Sequence, residues 1–274
     1  MAIKDWLRDA TKQLDEAGIG TARLDALVLL EDVLNKDRAH LLAHPETKLT
    51  VEQQKVLKNL VERRAKHEPL AYIREKTEFY GREFTLNHDV LEPRPESETM
   101  IDLLKKLKLP AKPVIADIGT GSGAIAITAK LEIPTANVFA TDIDENCLVL
   151  TRQNAKKYET KMTILHGNLL EPLKKPVDVI LANLPYVPDH YQINQAALQE
   201  PRIAIFGGED GLELYRQLFK QLKTGKYGKP VVFTESLPFQ HQDLAKIASQ
   251  AGYQQTQEDD FIQVFFKSVT TQQP

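Results

Sequence analysis

The chain has 274 residues, enough for one large domain or a large domain beside a small one, and its 42% hydrophobic and 27% charged residues are ordinary for a soluble globular protein. A formal net charge of −3 gives no basic footprint for nucleic acid, no apolar run approaches the ~20 residues of a membrane span, and residues 1–20 lack the apolar core of a secretory signal. The single cysteine, Cys147, excludes an internal disulfide, and no Cys/His cluster has zinc-ligand spacing, so no metal and a reducing, cytoplasmic setting are expected.

Residues 1–66 read as a small helical bundle. Ile3, Trp6, Leu7, Ala10, Leu14 and Ala17 recur at helical spacing until Gly18 and Gly20 stop the run. A second helix is expected over Thr21–Leu34, carrying Leu24, Leu27, Val28 and Leu30. Asp37 caps a short third around His40–Leu42, before Pro45. Thr50 and Gln53 make a capping box for a fourth, with Val56, Leu57, Leu60 and Val61 on it. Acidic and basic residues nearly balance, so the bundle is expected to recognise a protein partner rather than a phosphate backbone.

The pattern shifts at Pro69. Residues 67–95 are expected to be a linker holding a bridging β-hairpin, built from the short runs Leu70–Ile73, Glu78–Gly81 and Phe84–Leu86. Pro93 and Pro95 then fix the backbone on either side of Arg94. Glu96 and Glu98 open a helix to about Leu107, where acids complement the helix dipole and need no functional explanation.

Residues 96–274 form the larger expected domain, an α/β unit. Val114–Asp117 is a buried strand, followed by the glycine loop Ile118–Gly123 and a helix opening at Ala124. Asn137–Thr141 is the next strand and ends in Asp142, placed to accept both hydroxyls of a ribose. Met162–Leu165 precedes Gly167–Asn168, where Asn168 faces an adenine edge and Leu169 packs on the ring. Gly119, Gly121 and the Ala124 three places on also satisfy the dinucleotide fingerprint, so the glycines alone do not separate S-adenosylmethionine from NAD. Asp117, Gly167–Asn168 and the stretch after the next strand favour S-adenosylmethionine.

That strand, Val177–Ile180, leads to Asn183–Leu184–Pro185–Tyr186, a rigid ledge at a strand's carboxyl end. Asn183 through its amide oxygen and Leu184 through its carbonyl can accept the two hydrogens of a planar NH2 group, with Tyr186 packing on the plane. Beyond it come Glu200–Pro201–Arg202, Gly207–Gly208–Glu209–Asp210–Gly211, a helix over Leu212–Leu222, the strand Pro230–Glu235 and a helix over about Phe239–Ala251. Tyr253–Gln257 and Phe261–Phe266 form a closing antiparallel pair. That makes seven strands, with a frayed tail over the last seven residues.

In order, Glu68–Ile73, Phe79–Tyr80–Gly81, Pro93–Glu98, Asp117–Gly123, the Asn183 ledge, Glu200–Arg202 and Gly207–Gly211 with Leu212 and Tyr215 resemble the signatures of the HemK/PrmC family, glutamine methyltransferases of peptide chain release factors. The resemblance spans most of the chain. It implies a seven-stranded Rossmann-like class I methyltransferase domain behind an N-terminal helical bundle. It implies S-adenosyl-L-methionine as cofactor, release factors as protein partners without direct nucleic acid or membrane, and methylation of the glutamine amide in their Gly-Gly-Gln motif. On these positions Asn183, Pro185 and Tyr186 are the expected catalytic residues. Asp117, Gly119, Thr120, Gly121, Ser122, Gly123, Asp142, Asn168, Leu169 and Asn183 are expected at the cofactor, and Asn183, Leu184, Pro185, Tyr186 and Arg94 at the acceptor.

Three positions depart from the family. Leu184 replaces the usual proline, giving the Asn-Leu-Pro-Tyr form typical of rRNA adenine dimethyltransferases. Asn168 stands where an acid is common, and Glu235–Pro238 and Asp259–Phe261 differ near the sheet edge. The competing reading is therefore an adenine-N6 methyltransferase acting on RNA or DNA, whose flipped base would stack on Tyr186. A non-catalytic binding module ranks last, because the glycine loop, Asp142 and Asn183 are all intact.

Overall fold

A computed structural model of the chain describes residues 1–268. Two units emerge: Met1–Lys76 together with Ile193–Gln199, and Thr77–Gln192 together with the described residues from Glu200 onward.

The first unit is helical: α1 (Ile3–Glu16), α2 (Ala22–Leu34), α3 (Arg38–Ala43), α4 (Val51–Arg64) and α5 (Leu70–Arg74). Its local signals act as the residue types dictate. The Asp37 side chain accepts the His40 N–H at 2.7 Å, and Thr50 and Gln53 bond reciprocally at 3.1 and 2.9 Å. Trp6, Ala10 and Leu14 of α1 bury against Ala26, Leu29 and Leu30 of α2 and Leu57 and Val61 of α4. Arg64 Nε and Asp25 Oδ2 make a buried pair at 2.6 Å. Gln199 Nε2 donates to the Lys66 carbonyl at 2.8 Å, fastening the Ile193–Gln199 segment to this unit.

One expectation is corrected here. Leu70–Ile73 does not join a hairpin; it is α5, whose Tyr72 and Ile73 N–H groups both turn back to the Pro69 carbonyl. Three consecutive buried residues, Ala71, Tyr72 and Ile73, mimic a buried strand in sequence, but Ile73 packs into the bundle core.

From Thr77 the second unit opens with the hairpin of β1 (Lys76–Phe79) and β2 (Arg82–Thr85), whose Phe79 and Phe84 are buried in the main core. There follow α6 (Glu98–Lys106), β3 (Val114–Ile118), α7 (Ala124–Glu132), β4 (Asn137–Asp142), α8 (Glu145–Lys157), β5 (Thr163–His166), β6 (Val179–Ala182), α9 (Arg202–Ile205), α10 (Glu213–Lys223), β7 (Val231–Glu235), α11 (His241–Gln250), β8 (Tyr253–Asp259) and β9 (Ile262–Lys267). The strands form one seven-stranded sheet in the order β5-β4-β3-β6-β7-β9-β8. The first five are parallel, and β9 runs antiparallel to both β7 and β8. Apolar side chains from both faces of the sheet fill two cores, one under α6 and α7 and one under α10 and α11. The expected tail lies, apart from Ser268, outside the described residues. No helix among the described residues is long and apolar enough to cross a membrane.

Topology fixes where a ligand can sit. Strand order reverses between β3 and β6, and open α/β sheets bind ligands beyond the carboxyl ends at such a point. The register aligns Ile118 with both Thr141 and Ala182, and Ala182 with Thr234. The residues that follow, Gly119, Asp142, Asn183 and Glu235, therefore emerge side by side at one edge.

Candidate active site

Beyond that edge lies a cavity of about 230 Å3 whose lining includes Gly119–Ser122, Asp142, Asn168, Leu169 and Asn183–Pro185. The glycine loop forms its floor. Gly119 has φ of 72°, and a Cβ there would stand 3.1 Å from Leu184 Cδ2, so the loop and the ledge approach as closely as glycine allows. The Gly119 and Thr120 N–H groups both donate to the Thr141 carbonyl, at 2.9 and 3.0 Å.

Two expected acids take different places. Asp142 lines the cavity, where its Oδ2 accepts the Gly121 N–H at 2.9 Å and its Oδ1 the Asp144 N–H at 3.0 Å. Each oxygen keeps a lone pair for a ligand hydroxyl, and burial raises its pKa. Asp117 is only 1% exposed and sits behind the loop, accepting the Thr120 hydroxyl at 2.7 Å. Burial pushes its carboxyl up to about 7, against hydrogen bonds from Thr120 and the Ala126 N–H. The geometry gives it a bracing position under the loop rather than one on the cavity wall. Gly123 also stays off the wall; a Cβ there would meet Thr151 Cγ2 at 2.9 Å, so it brings α7 close to α8.

Asn168 and Leu169 line the far side of the cavity. Leu169 has φ of 50°, and its carbonyl accepts the Thr141 hydroxyl at 3.0 Å, which fixes the turn. Cys147 also lines the cavity; burial, with Asp142 and Asp144 nearby, pushes its thiol pKa up and keeps it protonated.

The ledge is held on every side. Tyr215 accepts the Leu184 N–H at 3.3 Å, and its hydroxyl lies 3.2 Å from the Ala182 carbonyl, joining the ends of β6 and β7 through a further bond to the Glu235 carbonyl. Gln240 Nε2 donates at 2.8 Å to the carbonyls of both Tyr186 and Asp210. The Gly207–Gly211 loop lies flat on the ledge: a Cβ on Gly207 would fall 2.2 Å from the Pro185 carbonyl oxygen, and one on Gly211 2.0 Å from that of Tyr186. No hydrogen bond among the described residues occupies the Leu184 carbonyl. That leaves it available to a donor.

Asn183 is oriented by residues that the sequence reading passed over. Its Nδ2 donates to Ser97 Oγ at 2.8 Å, and Ser97 Oγ donates to Glu235 Oε2 at 2.6 Å. Tyr186 points its hydroxyl at Glu235 Oε1, 3.1 Å away, and does not line the cavity. Arg94 is likewise turned from it, paired with Glu200 and with Glu92 at 3.8 Å. Glu200 is buried, which raises its pKa against the pull of Arg94. Ser97 was hidden as an ordinary helix-opening residue and Glu235 as an acid on a divergent strand end. The available signal was register, since Glu235 follows Thr234 just as Asn183 follows Ala182.

The arrangement can hold an adenosyl-type ligand on the loop side and a planar NH2 on the ledge side. Residues 5–74 match the PrmC N-terminal domain and residues 97–201 the methyltransferase small domain. A protein named release factor glutamine methyltransferase from Coxiella burnetii is 40% identical over 227 residues, which cover 82% of each chain. The chain belongs to the release factor glutamine methyltransferase family. The family's member from Deinococcus radiodurans is 33% identical and matches 93% of this chain and 92% of its own. Among solved structures, a methyltransferase from Pyrococcus furiosus superposes with a TM-score of 0.52 at 18% identity, covering 81% of this chain and all of its own, so it shares the fold.

Proposed function

We propose that the chain methylates the side-chain amide nitrogen of the glutamine in the Gly-Gly-Gln motif of peptide chain release factors, using S-adenosyl-L-methionine. The observation that carries this reading is the Asn183 amide: its Nδ2 is committed to Ser97, no hydrogen bond among the described residues occupies its Oδ1, and Asn183 and Leu184 both line the cavity. Two free acceptors on consecutive residues suit one NH2 group. Family membership, with relatives named for this activity, selects a glutamine amide over an adenine amine.

The cavity fits the cofactor. Its floor is a backbone turn that passes through Gly119 at a φ of 72°, which side chains rarely adopt, and Asp142 would present carboxylate lone pairs to ribose hydroxyls. Asn168 and Leu169 are the residues that would meet the adenine. When bound, S-adenosylmethionine supplies an electrophilic methyl group on a sulfonium.

The residues of the chain work by position. An amide nitrogen is a weak nucleophile because its lone pair is delocalised into the carbonyl. Asn183 Oδ1 and the Leu184 carbonyl each accept one of its N–H groups and aim the nitrogen into the cavity, and good alignment of two reactants supplies ~7–11 kcal/mol of a barrier. The same oxygens stabilise positive charge as it develops on the nitrogen, and the one amide proton that the methyl group replaces is released to solvent. Pro185 stiffens the ledge, and Tyr186 anchors it through Glu235 rather than by stacking. Arg94 acts on the acceptor only through the shape it gives the segment beside Glu200.

We assign the helical unit to recognition of the protein substrate, without direct nucleic acid, and place the enzyme in the cytoplasm. Mass spectrometry of the Gly-Gly-Gln peptide after incubating a release factor with enzyme and cofactor tests the reading.

A further inference from the structure

Asn183, Ser97 and Glu235 lie at the end of β6, in the turn before α6 and at the end of β7, yet their side chains form one line of hydrogen bonds. Ser97 and Glu235 are each 1% exposed. Burying a carboxylate without a cationic partner is costly, and an apolar side chain of similar size would fill the space at less cost. Backbone pairing does not call for the acid either, because the Glu235 carbonyl already accepts the Tyr215 hydroxyl. What the carboxylate does touch is a set of donors: Ser97, Tyr186 and, through its amide, Asn183.

An amide side chain can present either its oxygen or its NH2 to a site, and the two differ only in hydrogen-bond partners. The ledge can accept an NH2 group only when the Asn183 oxygen faces it. We propose that Ser97 and Glu235 are positioning residues that lock the Asn183 amide with Oδ1 toward the acceptor, a role that rests on the function proposed above. Ionised Glu235 only accepts, so Ser97 must donate to it and offers its lone pair to Asn183 Nδ2. Protonated Glu235 can donate to Ser97 instead. The serine hydrogen then turns to Asn183, and the amide reverses.

The groups facing Glu235 are Ser97, Tyr186, Asn183 and Tyr215, with Glu96 acting through its charge and Arg94 acting on Tyr186. Burial is the largest influence and raises the Glu235 pKa to about 7; the donors oppose it and Glu96 adds to it. Single-turnover methylation of release factor should therefore rise with pH through about 7, as the locked orientation becomes the only one.

The test measures that rate from about pH 6 to about pH 9 for the unsubstituted enzyme, Ser97→Ala and Glu235→Gln, with cofactor affinity by calorimetry alongside. In Glu235→Gln the inflection near 7 should vanish, and the rate at high pH should fall to the unsubstituted enzyme's low-pH level. Ser97→Ala should lose about 10- to 100-fold in rate, the size of effect that misplaced reacting groups produce, with cofactor affinity unchanged. An inflection that persists in Glu235→Gln, or full activity in Ser97→Ala, overturns the positioning role. Should a variant misfold, a flat profile for the unsubstituted enzyme alone overturns it. Release factor left unlabelled by the unsubstituted enzyme defeats the functional reading and the positioning role together; a labelled release factor with a flat profile defeats only the latter.

Discussion

Asp142 and Asn183 lie at the carboxyl ends of β4 and β6, on either side of β3, and the proposed function gives them separate tasks. Asp142 keeps lone pairs for a hydroxyl, so Asp142→Ala should weaken S-adenosylmethionine binding by about 10- to 100-fold, the equivalent of a charge-assisted bond of ~1.5–3 kcal/mol. Asn183→Ala should leave cofactor affinity nearly unchanged and abolish turnover, because the two-acceptor grip becomes one. Calorimetry and labelled-methyl transfer on the same two proteins separate the tasks, and loss of cofactor binding in Asn183→Ala would merge them. Leu184 is proposed to supply the second acceptor through its backbone carbonyl, which a proline at this position would also possess. Leucine adds an N–H to Tyr215 at 3.3 Å and a side chain that fills the space above Gly119. Residues whose position follows from where a strand ends, such as Asp142 and Asn183, were legible in the sequence as lying at the sheet's carboxyl edge. Ser97 and Glu235 were not, because they are 138 positions apart and only the fold brings them together.

The Gly207–Gly211 turn supports the ledge beside the side chains of Tyr215 and Gln240. It approaches so closely at Gly207 and Gly211 that a Cβ at either would collide with a ledge carbonyl, which is why glycine stands there. Gly207→Ala places a Cβ where the Pro185 carbonyl oxygen now lies, 2.2 Å away, and one of the two segments must move. We expect turnover to drop by about 100-fold, the cost of displacing a reacting group by an ångström, while cofactor affinity holds. Unchanged turnover would mean that the ledge tolerates displacement. The buried acids at the strand ends also set a pH dependence of stability. Glu235 and Asp117 have folded pKa values raised to about 7, above the ordinary carboxylate range. Protons are thus bound more tightly in the folded chain, so this stability is full at acid pH and is lost as pH rises through about 7. Melting temperature should fall between about pH 4 and pH 7, the interval from the ordinary carboxylate range to the raised folded value, and fall less in Glu235→Gln; an identical slope in the two would remove Glu235 as a source. Helices with clear periodicity and caps, and strands flanking the glycine loop, were readable from local chemistry. Leu70–Arg74 was not, since three consecutive buried residues look alike in a short helix and a buried strand.

At the scale of the whole molecule, the two-unit organisation separates what holds the cofactor from what is proposed to hold the protein substrate. Every residue lining the cavity belongs to the second unit. A chain beginning at His67 should therefore bind S-adenosylmethionine with unchanged affinity and lose turnover on intact release factor; full turnover would reduce the helical unit to a structural role. The segment Ile193–Gln199, read from sequence only as a stretch after the ledge, clusters with the helical unit although it is far from it in sequence. No local pattern marks such a return of the chain, whose fastening includes one glutamine amide on a backbone carbonyl. Substrate identity is the claim on which the rest depends, since an adenine amine and a glutamine amide both present a planar NH2 to Asn183 and Leu184. The most direct measurement offers release factor and rRNA separately to the enzyme with radiolabelled S-adenosylmethionine, followed by mass spectrometry of the labelled product. Label on the glutamine of the Gly-Gly-Gln peptide, absent from RNA and lost with Asn183→Ala, is the expected result; label in RNA with none in the release factor would contradict it.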